Sequence, residues 1–183
     1  MASPIDTIPQ TTQDFALYKQ LLYDLVVVNK FTKVLETGTD VGDSTRIFST
    51  ALQTTNGEIV TIDIKPPVND WFKDWPIKNI RFIQNDSKQI KLSQEIDLLF
   101  LDAHIGGCNS YEQVKTELTN LGVWVKAGGK VVIDDVFHGE FGEGIRKAYE
   151  EFAKQYSLPW TVYPQRDGLA ILEINYGLPR QQQ

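Results

Sequence analysis

Acidic residues follow several apolar stretches of this sequence, at the points where those stretches end. Asp63, Asp102 and the adjacent pair Asp134 and Asp135 all have this placement. A carboxylate can accept hydrogen bonds from sugar hydroxyls, bind a hard cation such as Mg²⁺, or attract a cationic organic ligand. The spacing of these acids therefore indicates a binding or catalytic site for a cation or a hydroxylated ligand.

Three of these acids are candidates for a metal site. The apolar stretches before Asp102, Asp134 and Asp135 are expected to be neighbouring strands, so the three carboxylates should converge. Several carboxylates close together at the edge of a buried core raise the free energy of the folded state unless a positive group binds between them. Mg²⁺ with oxygen ligands fits that requirement. The alternative is that Asp102 or Asp134 contacts a cofactor or a backbone amide and that no metal binds.

A glycine-containing turn precedes the first of these acids. It contains Gly38 and Gly42, with Asp40 between them, and lacks the full G-x-G-x-x-G pattern of dinucleotide folds. Aspartate tolerates positive φ, so the turn can form. Asp40 and a second acid just before the turn would repel phosphates and suit a cationic ligand. The alternative is an ordinary turn between strand and helix, capped by Asp43 or Ser44.

Two further positions are suited to binding a nucleoside. Asp63 lies 21 residues after Gly42, where a carboxylate can accept both ribose hydroxyls, and the adjacent Ile64 could cover one face of an adenine. Asp86 could accept from an adenine amino group. The alternatives are a solvated Asp63 and a helix cap formed by Asp86 and Ser87.

The sequence contains two histidines, and each follows one of the buried stretches that end in aspartate. His104 is the favoured candidate for a base or ligand, ahead of His138. The aromatic segment 71–75 and the segment 105–110 are expected to form the walls or lid of a pocket. Packing of these aromatics over the sheet edge is an equally good interpretation.

The elements that must position these side chains alternate between strands and helices. Two final strands are separated by five residues, which are too few for a crossover helix, so they must be antiparallel. The alternation predicts a mainly parallel sheet with helices on both faces and a ligand at the carboxyl ends of the strands. The expected strands are 33–37, 58–64, 80–84, 96–101, 130–133, 160–163 and 169–174. The expected helices are 12–29, 43–54, 111–125 and 145–156, with a short helix at 88–92 and a break at Gly128 and Gly129.

Length and charge limit the classes of function. The chain has 183 residues, one cysteine and a net charge of −6, which argues against a disulfide framework and against a nucleic-acid scaffold. We expect an N-terminal arm over residues 1–10 and a single domain over 11–183. No targeting or membrane segment is evident, so we expect a cytoplasmic protein without a membrane partner.

These features together resemble the class I S-adenosylmethionine-dependent methyltransferases. Segment 36–45 is similar to their glycine motif, which cradles the methionine part of the cofactor, and 61–63 to their ribose-binding motif. Segment 85–87 lies where the family contacts adenine. Segments 99–104 and 128–135 are similar to the small-molecule O-methyltransferase branch, which includes catechol-type and antibiotic-tailoring enzymes.

The resemblance implies an α/β, Rossmann-like, seven-stranded mainly parallel sheet of order 3-2-1-4-5-7-6 with an antiparallel last strand. It implies O-methylation of a small molecule, with His104 and Asp102 as catalytic residues. Many members of the branch hold Mg²⁺ through acids at the positions of Asp102, Asp134 and Asp135. The implied cofactor-binding residues are Glu36, Thr37, Gly38, Thr39, Gly42, Ser44, Thr45, Asp63, Ile64, Asp86, Ser87 and Asp102.

Two alternatives differ from this interpretation in function. One is a nucleotide-dependent oxidoreductase, which the incomplete glycine pattern and the closing hairpin disfavour. The other is a catalytically idle nucleoside-binding module on the same fold. The segment after Asp102, residues 105–107, lacks the basic residue that catechol-type enzymes carry there, so the sequence does not identify the methyl acceptor. The oligomeric state also stays open, with a homodimer as one option.

Overall fold

The computed structural model describes Ile5, Ile8 and residues 16–67, 73–103 and 110–180. Within them the strands are β1 (Lys33–Thr37), β2 (Glu58–Asp63), β3 (Ile80–Gln84), β4 (Ile96–Leu101), β5 (Val125–Ile133), β6 (Trp160–Tyr163) and β7 (Leu169–Glu173). The α-helices are α1 (Lys19–Asn29), α2 (Asp43–Thr55), α3 (Ser110–Asn120) and α4 (Gly142–Gln155). No helix of this described part is long and apolar enough to cross a membrane.

The seven strands form one sheet in the order β3-β2-β1-β4-β5-β7-β6. Strand β2 pairs in parallel with β1 and β3, and β4 pairs in parallel with β5. Strand β7 is antiparallel to both β5 and β6, because five residues join it to β6. The predicted fold class, strand order and closing hairpin are therefore confirmed.

The chain divides into two compact units, Met1–Asn85 and Asp86–Gln183. In the first unit, α2 buries the apolar face that its helical spacing predicts, formed by Ile47, Phe48, Ala51 and Leu52. Ile5 and Ile8, the described residues of the predicted N-terminal arm, are also buried. Burial of their side chains stabilises this part of the arm through the hydrophobic effect.

In the second unit, all six residues of β4 are buried. Such a continuous apolar strand is typical of a parallel sheet that is covered on both faces. Residues 131–133 of β5 and most of β7 are buried as well. Helices α3 and α4 pack against each other, and the carboxyl ends of β4 and β5 are the points at which Asp102 and Asp134 leave this core.

Two predicted element boundaries were wrong. The helix expected over 111–125 ends at Asn120, and β5 already begins at Val125, so Gly128 and Gly129 lie inside a strand rather than at a helix end. Gly128 has φ +83°, and a Cβ on Gly129 would lie 2.5 Å from the carbonyl oxygen of Asp97. These glycines allow β5 to bend and to approach β4 closely, which the sequence pattern did not reveal.

Smaller differences concern the helix starts. The short helix expected over 88–92 is a single 3₁₀ turn, Ser87–Gln89. The start of the first helix was expected at residue 12, but residues 9–15 lie outside the described part of the chain. Most of the two expected pocket walls, residues 71–72 and 105–109, also lies outside it, as does His104.

Candidate functional site

The glycine turn after β1 has the backbone conformation that its sequence predicts. Gly38, Asp40 and Gly42 all have positive φ, of 86°, 39° and 78°. The N–H of Gly38 donates to the carbonyl oxygen of Ile62 at 2.8 Å, and the N–H of Gly42 donates to that of Thr39 at 2.7 Å. Helix α2 begins at the next residue, without a side-chain cap. The capping alternative that involved Asp43 or Ser44 was therefore wrong.

Asp63, at the end of β2, holds this turn. Its Oδ2 accepts hydrogen bonds from the backbone N–H groups of Thr39, at 2.9 Å, and Asp40, at 3.2 Å. Its Oδ1 accepts from the N–H of Lys65 at 2.9 Å. A carboxylate has about four lone-pair sites, so one further donor, such as a ribose hydroxyl, can be accommodated. The adjacent Ile64 is 48% exposed, which leaves an apolar surface beside the carboxylate.

Glu36, near the end of β1, is a fully buried carboxyl. Ser44 donates a hydrogen bond from Oγ to Glu36 Oε1 at 2.5 Å, and Thr45 donates from Oγ1 to Oε2. Burial raises the pKa of Glu36 to about 7, although hydrogen bonds from Ser44, Thr45 and Thr61 partly oppose this rise. Glu36 thus connects the end of β1 to the first turn of α2.

The side-chain hydroxyl of Thr37 is buried at the same strand end. Within the described part of the chain its Oγ1 has no hydrogen-bond partner. A buried hydroxyl without a partner costs about 1–3 kcal/mol. Such groups are rare in folded proteins and call for a specific explanation, which a bound ligand or water can supply.

A second acidic cluster lies at the end of β5 in the other unit. Asp134 is 9% exposed, and its Oδ1 accepts a hydrogen bond from the backbone N–H of Asp135 at 2.9 Å. Burial, Asp135 and Asp167 raise the pKa of Asp134 to about 7. Burial also raises the pKa of Asp135, Asp167 raises it further, and His138 opposes both effects. The sequence interpretation placed Asp167 in the closing segment 167–171 but did not assign it to this acidic cluster.

The acids predicted to hold Mg²⁺ do not fit a metal site in the described residues. No group of three or more His, Cys, Asp or Glu side chains in residues 16–67, 73–103 and 110–180 is arranged to hold a metal ion. Asp102 follows β4 and is half-buried, and one oxygen of Asp134 already accepts from a backbone N–H. The convergence that the sequence predicted for Asp102, Asp134 and Asp135 is therefore not the arrangement of a metal centre.

The ring of His138 is fixed by its neighbours. It stacks on Phe141, with ring centroids 3.7 Å apart and an interplanar angle of 4°. Its Nδ1 accepts a hydrogen bond from the N–H of Glu140 at 3.2 Å, so the neutral ring carries its proton on Nε2. The exposed Phe137 beside it lies under the guanidinium of Arg146, at 5.3 Å.

The turn after β3 contains the last pair of predicted site residues. The Oδ1 of Asp86 accepts from the N–H of Lys88 at 3.0 Å, which confirms the expected cap. Ser87 is buried and donates from Oγ to Oε1 of Glu117 at 2.5 Å. Gln113 donates from Nε2 to both of these oxygens. The sequence interpretation missed Gln113 and Glu117, although two polar residues four positions apart on the apolar face of a helix are a recognisable signal.

Comparison with known protein families gives one match. Residues 35–136, more than half of the chain, match the model of a methyltransferase domain. Comparison with curated proteins found no significant match.

Several solved structures share the fold. The methyltransferase PaMTH1 of Podospora anserina, bound to SAH, has a TM-score of 0.72 and 19% identity over 95% of this chain and 88% of that one. Cofactor-bound Rv0187 from MTB has a TM-score of 0.74 and 17% identity over 94% and 87%. The O-methyltransferase TomG of Streptomyces achromogenes, in complex with SAM, has a TM-score of 0.63 and 18% identity over 95% and 90%.

At these identities the structural similarity shows a common fold. It agrees with the family match, which covers the glycine turn, Asp63, the turn at Asp86, Asp102 and Asp134. The resemblance to the methyltransferases is thereby confirmed. The chain belongs to the family of methyltransferase domains.

Proposed function

We propose that this protein transfers a methyl group from S-adenosylmethionine to an oxygen atom of a small molecule. The observation that carries the proposal is the turn 38–42 inside a methyltransferase domain. Two backbone N–H groups of this turn donate to Asp63, and the Gly38 N–H donates to Ile62. The structures of PaMTH1 and TomG contain SAH and SAM, respectively, which supports the same cofactor here.

The residues present fit such a cofactor. Asp63 has one acceptor position left for a ribose hydroxyl, and Ile64 offers an apolar surface for a base. The exposed Asp40 places a carboxylate beside the turn, and Glu36 adds negative charge there in its ionised form, which favours a cationic ligand over a neutral one. The other proposed cofactor contacts are Thr37, Gly38, Thr39, Gly42, Ser44, Thr45, Asp86, Ser87 and Asp102.

S-adenosylmethionine supplies a methyl group that its sulfonium already activates. The contribution of this chain is then mainly to hold the acceptor oxygen in line with the methyl carbon, and such positioning supplies about 7–11 kcal/mol of a barrier. We propose His104 as the base that takes the acceptor proton and Asp102 as its acidic neighbour in the sequence. His138 is less suited to that task, because its Nδ1 is occupied by the N–H of Glu140.

The acceptor is proposed to be a small molecule, in keeping with a net charge of −6, which argues against a nucleic-acid scaffold. The homodimer and the cytoplasmic location stay predictions.

Incubation of the protein with methyl-labelled S-adenosylmethionine and a panel of phenols, catechols, sugars and carboxylic acids tests the proposal. Label on an acceptor oxygen is expected. Cofactor binding with no product from any acceptor would instead support the idle binding module.

A second candidate function is methyl transfer assisted by Mg²⁺, which the acids Asp102, Asp134 and Asp135 suggest. In the described part of the chain these acids do not form a metal-binding group, so no step of the mechanism is assigned to a metal. We expect turnover to survive treatment with EDTA. Loss of turnover in EDTA, with recovery on addition of Mg²⁺, would contradict this expectation and restore the metal site.

A further inference from the structure

Three polar side chains on one face of helix α3 form hydrogen bonds with the turn after β3. Gln113 and Glu117 contact the hydroxyl of Ser87, at 3.1 and 2.5 Å, and Gln113 also donates to Glu117 Oε1 at 2.8 Å. Three residues further along the same face, Asn120 donates from Nδ2 to the carbonyl oxygen of Lys88 at 3.0 Å. The turn is thus held at two successive residues by one helix.

This polar stripe, Gln113, Glu117 and Asn120, holds the turn through hydrogen bonds. Glu117 is fully buried, and Ser87 and Gln113 are 5% and 8% exposed. Burial of a carboxyl is costly, and apolar residues of similar volume often stabilise a fold as well or better. A hydrogen-bonded network, unlike apolar packing, fixes the orientation of each member. The arrangement therefore favours orientation of the turn over simple stability.

The residue that this arrangement orients is Asp86. Its Oδ1 is engaged by the N–H of Lys88, and its Oδ2 lies 3.4 Å from Nε2 of Gln89. The backbone of Asp86 is extended, with φ −73° and ψ 119°, directly before the anchored Ser87. The Nζ atom of Lys88 also lies 3.9 Å from Oδ2 of this half-buried carboxylate. A carboxylate offers about four lone-pair sites, and an exocyclic amino group is a donor of the kind that these sites accept.

We propose that Gln113 and Glu117 are positioning residues that set the base specificity of the nucleoside site, by fixing Ser87 and with it the carboxylate of Asp86. This inference rests on the proposed function, since it assigns Asp86 to the adenine of the cofactor. An amino group at position 6 of the base donates to a correctly placed Asp86. The carbonyl oxygen of hypoxanthine at that position meets the same carboxylate as a second acceptor and is rejected.

The test compares two ligands, S-adenosylhomocysteine and S-inosylhomocysteine, by titration calorimetry. The variants are Glu117→Gln and Gln113→Met, which nearly preserve side-chain volume. Glu112→Gln, an exposed change on the same helix, is the matched control. The wild type and the control should prefer the adenosine compound. In both variants the affinity for that compound should fall by about tenfold, the cost of one buried hydrogen bond to a charged group.

The preference between the two ligands distinguishes a positioning role of Gln113 and Glu117 from a general contribution to the stability of the fold. Affinity for the inosine compound should change little in the variants, and the KM for S-adenosylmethionine should rise while kcat is retained. Equal loss of both ligands, or an unchanged preference, would overturn the inference. If Glu117→Gln does not fold, the ratio of the two ligand affinities measured for Gln113→Met tests the inference. Failure of the wild type to bind either ligand would instead refute the proposed function.

Discussion

Glu36 is a buried carboxyl of the candidate site whose ionisation changes near neutral pH. Its folded pKa of about 7 lies well above the ordinary 4.5 because the carboxyl is buried. A carboxyl whose pKa rises on folding adds stability below its unfolded pKa, and this contribution is lost as the pH rises through the folded pKa. The free energy of unfolding should therefore fall between about pH 4.5 and 7 by an amount on the order of 3 kcal/mol from this group.

The change Glu36→Gln should remove this contribution. The difference in free energy of unfolding between wild type and variant, from urea denaturation at pH 5 and pH 8, isolates Glu36 from Asp134, which titrates in the same range. The wild type should lose stability relative to the variant on going to pH 8. An equal change in both proteins would show that Glu36 does not titrate there.

The sequence predicted part of this residue-scale detail. The positive φ of Asp40 followed from the known tolerance of aspartate. The contacts of Glu36 with Ser44 and Thr45 could not be predicted, because they depend on how α2 lies against β1. The same contact explains why the capping alternative failed, since the hydroxyl of Ser44 is directed to Glu36.

At the scale of elements, apolar patterning predicted most strands to within a residue at each end. Patterning failed at β5, where Gly128 and Gly129 have the composition of a break but the conformation of a bent strand. It also missed the polar stripe on α3, since pattern reading takes buried positions to be apolar. Both failures have the same cause. The contacts that determine these structures join residues that are far apart in the sequence, which local patterning does not detect.

The close approach at β5 gives a test of the element boundary. In Gly129→Ala the new Cβ would lie 2.5 Å from the carbonyl oxygen of Asp97 and 2.5 Å from Cγ1 of Val125. We expect a loss of about 1–3 kcal/mol in the free energy of unfolding. Gly139→Ala is the matched control, since nothing lies within 4 Å of its Cβ. If thermal unfolding finds the two variants equally stable, β5 does not approach Asp97 in this way.

At the scale of the whole molecule, the acids at the ends of the strands belong to a methyltransferase domain with the strand order that the sequence predicted. The topology follows from short connections and the five-residue hairpin, which local sequence reveals. The chemistry at the strand ends followed from motif resemblance. The metal prediction found no support because a count of acids does not determine how their oxygens are oriented.

The central claim is that Asp63 and the turn it holds bind S-adenosylmethionine. Titration calorimetry with S-adenosylhomocysteine should show binding to the wild type, and Asp63→Asn should weaken it by about tenfold or more, because an amide NH₂ would face backbone N–H donors. Glu58→Gln, at the opposite end of the same strand, should bind like the wild type. Unchanged affinity in Asp63→Asn would contradict the account.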